Sequence, residues 1–337
     1  MTSNPWIRDF SIRAAGRFAF ALFLPHGRVV GVSLDGLPDW LSDWCLDQLG
    51  DLPVSLLFER RSISAVFGLR LAGGRDVVVK AREDEGRAAS CIAAQARLAE
   101  RGFPCARPIT PAVGVGALAV HAEQSRPGGD LLRGDSADVA VRYAAVFAWL
   151  MAELADVTVA PPLPNPRWVR WDHTDSGLWP AIGELDDLDQ GTVPTYVLNT
   201  ADRARKRLLG ADLECVLGHA DFEAQNLRWR DGDVWAVHDW DSLAWQPEAA
   251  LAGAACGAFA SASQPTLAPV ESSAAFLAAY QDLRGRRFTA QEQEIAWAAS
   301  LWPAAHNARW EAMHGDTPVS CDALRAQAAE RLRRANA

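Results

Sequence analysis

The stretches L-G-H-A-D-F-E-A-Q-N-L, residues 217–227, and W-A-V-H-D-W-D-S-L, residues 235–243, bring four carboxylates, two histidines and one asparagine into a single segment of the chain. Asp221 and Asn226 stand five residues apart in a piece with neither helical nor strand periodicity. Short β-like runs flank it at Cys215–Leu217 and Leu227–Trp229. A third run, Val234–Val237, leads directly into His238 and Asp239. Apolar runs of this length bounded by polar turns read as strands, so the acids sit on loops between them.

These residue types at this spacing suit phosphoryl transfer. That reaction asks little covalent chemistry of the protein; it needs metal ions on the phosphate oxygens and an oriented hydroxyl nucleophile. Magnesium takes oxygen ligands and keeps several waters, so one or two carboxylates and an amide oxygen suffice. Asp221 fits the group that accepts the hydroxyl proton, and Asn226 and Asp239 fit the metal ligands. A rival assignment uses His219, Asp221, His238 and Asp239 as ligands of a hydrolytic metal centre, His238-Asp239 spelling an HD dyad. Metal phosphohydrolases place that dyad on a helix, whereas here it ends a β-like run.

Working outward, the N-terminal part is strand-rich. Leu37–Leu49 reads as a short amphipathic helix with Trp40, Leu41 and Trp44 near one face. Val54–Glu59, Ala65–Leu71 and Asp76–Ala81 then form an antiparallel meander, the last two joined at Gly73-Gly74. Glu83–Arg101 is helical and is stopped by Gly102 and Pro104. Val113–Val115 and Ala117–Glu123 are two more short strands. The break S-R-P-G-G-D, residues 125–130, separates this region from a mostly helical remainder that begins at Ala137–Leu154. Strands followed by helices imply an α+β protein of two lobes, 1–124 and 125–337. No G-x-G-x-x-G turn or βαβ alternation supports a dinucleotide fold.

Composition narrows the classes further. A formal charge of −9 argues against a nucleic-acid partner and is compatible with a cationic small molecule. The early apolar run Phe18–Leu24 is too short to span a bilayer and lacks the features of a signal peptide, so no membrane association and a cytoplasmic location are expected. Six scattered cysteines without a C-x-x-C pair imply neither a zinc cluster nor a disulfide framework. Lys80 and Lys206 are the only lysines among 33 basic residues, which marks them as positions where arginine does not serve.

The pattern H-A-D-F-E-A-Q-N followed by V-H-D-W-D resembles the catalytic and metal-binding segments of the aminoglycoside phosphotransferase and choline kinase-like superfamily. Those segments read H-G-D-x-x-x-x-N and hydrophobic-D-x-D/E, and Ala220 here replaces the usual glycine. The resemblance spans roughly residues 54–260 and implies a protein kinase-like fold with a small β-rich lobe and a larger helical one. It implies ATP as donor (GTP as the alternative) and magnesium. It also implies Asp221 as catalytic base, Asn226 and Asp239 as metal ligands, His219 as support of the loop and Asp241 as an auxiliary acid.

On the nucleotide side, Lys80 ends the run V-V-V-K and stands where such folds place the lysine that holds the α- and β-phosphates. Ser62 and Ser64, in the turn E-R-R-S-I-S-A-V, are candidate phosphate donors. Backbone groups at Ala122, Glu123 and Gln124 are candidate adenine contacts. Two departures stand out. The helix glutamate that normally pairs with the lysine falls on Cys91, with Glu85 and Gln95 as the nearby substitutes. Ala250 stands where an aspartate usually braces the catalytic loop.

The implied activity is transfer of the γ-phosphoryl group to a hydroxyl of a small molecule, by family frequency an aminoglycoside or similar antibiotic. The alternatives are a choline, homoserine or sugar-type metabolite kinase, or a nucleotide-binding pseudokinase. Asp172, Asp175, Glu184, Asp186, Asp187, Asp189 and Glu271 are candidate acids for a cationic acceptor, and Trp168, Trp171, Trp179, Trp302 and Trp310 are candidate stacking surfaces.

Overall fold

The computed structural model describes residues 36–61, 64–160, 163–261, 264 and 266–337. By internal contacts the chain divides into two units. The first comprises residues up to Ala96 together with Ala106–Pro127, and the second comprises Arg97–Cys105 and Gly128–Ala337.

The first unit is built on a five-stranded antiparallel sheet. Its strands are β1 (Pro53–Arg61), β2 (Ser64–Leu71), β3 (Asp76–Glu83), β4 (Val113–Val115) and β5 (Leu118–Gln124), in spatial order β1-β2-β3-β5-β4. The period-two alternation decides what faces what. Ala65, Phe67, Leu69 and Leu71 of β2, Val77, Val79 and Ala81 of β3, and Val120 and Ala122 of β5 share one buried face. Helix α1 (Trp40–Leu49) covers that face with Leu41, Trp44 and Cys45, and Trp40 meets Phe67 edge-on at 6.4 Å. Each fully buried side chain of this size stabilises by about 1.5–3 kcal/mol. The helix ahead of the first strand, which carries no functional motif, is therefore the lid on half of the sheet's apolar surface. By the same alternation Val78, Lys80, His121 and Glu123 lie on the opposite face.

Helix α2 (Ala88–Glu100) starts later than its composition predicts. Glu83 still pairs with Leu118 and Arg82 with Ala119, so the ladder holds these residues extended before the chain turns at Gly86.

The second unit is organised around α3 (Ala137–Leu154). Its N-cap Ser136 accepts the Val139 N–H, and Ala140, Tyr143, Ala144, Phe147, Leu150, Met151 and Leu154 form its buried stripe at i, i+3, i+4, i+7 spacing. The unit's other long helices are α4 (Thr195–Leu209), α5 (Glu248–Ala258), α6 (Val270–Arg284), α7 (Ala290–Ala299), α8 (Leu301–His314) and α9 (Val319–Arg334), of which α6 and α5 pack directly on α3. No helix among the described residues is long and apolar enough to cross a membrane.

Two antiparallel pairs interrupt the helices. β6 (Cys215–His219) pairs with β9 (Leu243–Pro247), and β7 (Leu227–Arg230) pairs with β8 (Asp233–Val237). The β7–β8 turn is Asp231-Gly232, with φ of 52° and 93°. Two consecutive positive φ values match the twist of a tight hairpin, and Asp-Gly is among the dipeptides that tolerate them.

Helices α5 and α7 approach unusually closely at Gly253. A Cβ there would sit 2.1 Å from the Ala296 carbonyl oxygen, and one at Gly257 would sit 2.9 Å from that of Ser300. A glycine-to-alanine change inside a helix ordinarily gains about 0.5–1 kcal/mol. Here the backbone must move, and overpacking of this kind costs about 1–3 kcal/mol net. Gly253→Ala is expected to lower the midpoint of chemical unfolding. Gly183→Ala, where a Cβ meets nothing within 4 Å, is expected to leave it unchanged.

Candidate active site

The loop between β6 and β7 and the segment between β8 and β9 are stitched together at both ends. At one end His219 pairs with Leu243 in the β6–β9 ladder, and the Ala220 N–H donates to the Ser242 carbonyl at 2.9 Å. At the other, Leu227 pairs with Val237, and the His238 N–H donates to the Asn226 carbonyl at 2.8 Å. Asp221, Asn226 and Asp239 are thus neighbours because two short ladders leave the intervening residues no other course.

Both segments place an aromatic ring between two acids, Asp221-Phe222-Glu223 and Asp239-Trp240-Asp241. Each ring is an anchor. Phe222 is 1% exposed and packs on Phe147 of α3 at 4.9 Å between centroids. Trp240 is likewise buried, meets Phe103 at 5.9 Å and donates its indole N–H to the Val237 carbonyl at 3.0 Å.

His219 lies between these anchors, edge-on to Phe222 at 6.2 Å and to Trp240 at 5.8 Å. Its Nε2–H donates to the His238 carbonyl at 3.0 Å, and its Nδ1 accepts the Asp221 amide N–H at 3.3 Å. That pair of bonds requires the neutral ring. Burial holds the imidazole below its usual range despite the opposing pull of Asp239 and Asp241, so neutrality is what the site enforces. The aspartate absent at Ala250 is answered here: the loop is braced by His219 and by the Ser242 carbonyl.

Asn226 donates its amide nitrogen to the Asp221 carbonyl at 2.9 Å and to Asp221 Oδ2 at 3.2 Å. Both amide hydrogens have partners in Asp221, which leaves the amide oxygen as the acceptor of that side chain. Asp239 adopts a left-handed conformation, φ 61° and ψ 49°. Aspartate tolerates this region better than most residues, yet the state still costs about 1–2 kcal/mol. Ser242 holds it there, its hydroxyl donating to Asp239 Oδ2 at 2.7 Å and its N–H to the Asp239 carbonyl at 3.0 Å. Asp241 is buried and acts electrostatically on His219.

The carboxylates crowd one another. Burial, opposed by a hydrogen bond from Glu223 and reinforced by Asp239, pushes Asp221 up to about 6. Glu223 is raised well above the usual carboxylate range by burial and by Asp221, so it is the proton-holding member of that pair. Asp221 and Asp239, beside an amide oxygen, are oxygen groups of the kind a hard divalent cation with its own waters takes. Among the described residues no three His, Cys, Asp or Glu side chains gather into a self-sufficient metal cage. The set therefore fits magnesium arriving with phosphate oxygens better than the four-ligand centre of the HD alternative.

On the sheet of the first unit, Lys80 is 8% exposed and its Nζ lies 3.0 Å from Glu123 Oε1. The partner comes from β5 and not from the helix position at Cys91. Gln95, one of the two expected substitutes, donates to Glu123 Oε2 at 2.8 Å and to the Ala106 carbonyl at 2.8 Å. Adenine recognition by the backbone of Ala122–Gln124 meets a physical obstacle. The Ala122 N–H donates to Thr110 Oγ1 and its carbonyl accepts from Ile109, while the Gln124 N–H donates to the Arg107 carbonyl. These groups already have partners, and the Glu123 side chain belongs to Lys80. Ser64 begins β2 opposite Arg82, and Ser62 lies outside the described residues.

The candidate acceptor acids are mostly occupied locally. Asp175 accepts the Ala181 N–H, Asp186 the Ile182 N–H and Asp189 the Gly191 N–H, as turn and cap residues do. Trp179 and Trp302 pack on each other at 5.1 Å, with the Arg309 guanidinium over Trp179 at 5.2 Å. Glu223 was missed as a candidate from sequence. It lines a small cavity with Gly257, Thr266, Ser300, Asn307 and Ser320.

No protein-family model and no curated protein matches the chain. Among solved structures, an amicoumacin kinase in complex with AMP-PNP, Ca2+ and Ami superposes with a TM-score of 0.59 at 12% identity, over 83% of this chain and 88% of that one. A microcompartment-associated aminopropanol kinase gives 0.54 at 14% identity, over 84% and 89%. A thermostable mutant of aminoglycoside phosphotransferase APH(4)-Ia, in ternary complex with ADP and hygromycin B, gives 0.52 at 14% identity, over 88% and 99%. The chain has the protein kinase-like α+β fold of these small-molecule kinases and phosphotransferases.

Removing the His219 ring takes away its bonds to the Asp221 N–H and the His238 carbonyl and leaves a void between two aromatics. His219→Ala is expected to lower unfolding stability by about 2–4 kcal/mol, measured by urea denaturation.

Proposed function

We propose that the protein transfers the γ-phosphoryl group of ATP to a hydroxyl of a small molecule. The observation that carries this is the Asp221–Asn226–Asp239 arrangement. A partly buried carboxylate is held by its own backbone on a neutral histidine. An amide oxygen is oriented away from that carboxylate. A second acid is locked in a left-handed turn by Ser242. Asp221 orients the acceptor hydroxyl and takes its proton, while Asn226 and Asp239 hold magnesium. When bound with the nucleotide, magnesium neutralises charge on the phosphate oxygens. Lys80 steadies the α- and β-phosphates.

The acceptor we favour carries a cationic amine. The similar structures include kinases whose complexes contain amicoumacin or hygromycin B and one that is an aminopropanol kinase. Glu223, two residues past the proposed base and lining a cavity with Thr266, Ser300, Asn307 and Ser320, holds its proton and offers its carboxyl oxygen as a hydrogen-bond acceptor for such a group. An aminoglycoside or comparable antibiotic fits this chemistry, and a small amino alcohol does so equally.

The test is phosphate transfer from Mg–ATP across a panel of amine-bearing and neutral alcohols. Turnover is expected on amine-bearing members. Asp221→Asn is expected to lose about 10²–10⁴ in kcat with nucleotide affinity retained, because a positioned base contributes on that order. Equal turnover by Asp221→Asn on a validated acceptor would remove the assignment. Asp239→Asn is expected to weaken the magnesium dependence of ADP binding, read by titrating the metal at fixed nucleotide. Glu223→Ala is expected to raise KM for amine-bearing acceptors more than for neutral ones.

A further inference from the structure

Strand alternation puts Val78 and Lys80 of β3 on the sheet face opposite α1, and the antiparallel register puts His121 and Glu123 of β5 beside them. His121 pairs directly with Lys80, and Glu123 pairs with Val78. Glu123 is therefore the diagonal neighbour of Lys80, a separation that long side chains bridge. Both are nearly inaccessible, with side-chain exposures of 10% for Lys80 and 4% for Glu123. Burying either charge alone costs several kcal/mol, so each is tolerated only because the other is there.

The geometry of the carboxylate is fully specified. Oε1 takes the Lys80 ammonium at 3.0 Å and Oε2 takes the Gln95 amide at 2.8 Å. The second hydrogen of that amide goes to the Ala106 carbonyl, which fixes the amide plane and with it the carboxylate. Burial alone would raise Glu123, but Lys80, His121 and Gln95 outweigh it and keep the group below the usual range.

We infer that Glu123 is the positioning residue for Lys80: the acid that orders the phosphate-binding lysine stands on strand β5, and helix α2 contributes the amide of Gln95 that orders the acid. The inference deepens the nucleotide-binding reading above and rests on it. The lysine's placement is then a property of the sheet. A helix-borne acid would make it depend on how the helix lies. Here that dependence is reduced to one neutral hydrogen bond, and the ion pair itself spans two adjacent strands of one ladder.

The test uses the full-length protein and Mg–ADP titrated by calorimetry, with thermal unfolding to confirm that each variant is folded. The set is Glu123→Gln, Lys80→Met, the double variant of these two, and the exchange variant Gln95→Glu/Glu123→Gln. The exchange variant returns the acid to the helix without changing the number of charges. Glu123→Gln is expected to weaken Mg–ADP binding by at least about tenfold, in keeping with the loss of one member of a buried charge pair. In the Lys80→Met background the same change is expected to add little, because Glu123 acts through the lysine. The exchange variant is expected to recover most of the affinity. Undiminished binding by Glu123→Gln would overturn the inference, and so would fully additive losses in the double variant. Failure of the wild-type protein to bind Mg–ADP at all would instead overturn the nucleotide reading itself.

Discussion

A neutral imidazole buried between two aromatic rings is the constraint on which the candidate active site depends. His219 accepts from the Asp221 backbone and donates to the His238 backbone, so one side chain joins the proposed catalytic loop to the proposed metal segment. Only the uncharged ring can do both. Charging it would remove the acceptor for Asp221 and place a cation in an apolar pocket, and burial opposes that more strongly than the nearby acids favour it. The anchors on either side turn this local bond into a rigid frame. Phe222 and Trp240 are driven into the core by their apolar area, and the acids flanking each ring follow from chain continuity.

Much of this was legible in the sequence, for a physical reason. Strand alternation and turn residues act over a few positions, so β2, β3, the β7–β8 hairpin and α3 could be read from local pattern alone. The kinase-like fold followed from two short motifs whose spacing is set by one hairpin. What escaped were consequences of register. That Glu123 meets Lys80 depends on which residue of β5 lies opposite which residue of β3, and a one-residue slip would have turned Glu123 to the other face. The family resemblance implied a helix-borne partner, and local pattern carries no register with which to replace it. The late start of α2 has the same origin: pairing with β5 keeps Glu83 extended where composition favours helix.

The candidate acids for a cationic acceptor show how a charge run reads differently once its neighbours are known. Asp175, Asp186 and Asp189 look conspicuous as a charge run, but each is the short-range partner of a backbone N–H two to six residues away. Such bonds are what aspartate supplies in turns. Glu223 looked unremarkable in sequence because it is one letter inside a motif. Its significance comes from α5 and α8 converging on the same cavity, which no local pattern encodes.

The left-handed backbone at Asp239 sets an unusual limit on what evolution can do with that position. The dihedral admits glycine freely, asparagine and aspartate at a modest cost, and disfavours nearly everything else. The magnesium-holding role proposed for Asp239 asks, in turn, for a carboxylate oxygen, which only aspartate and glutamate side chains provide. The intersection of the two requirements is a single amino acid. Glutamate, the usual conservative exchange elsewhere, fails on shape before its charge is ever consulted, so the backbone itself proofreads the chemistry at this residue.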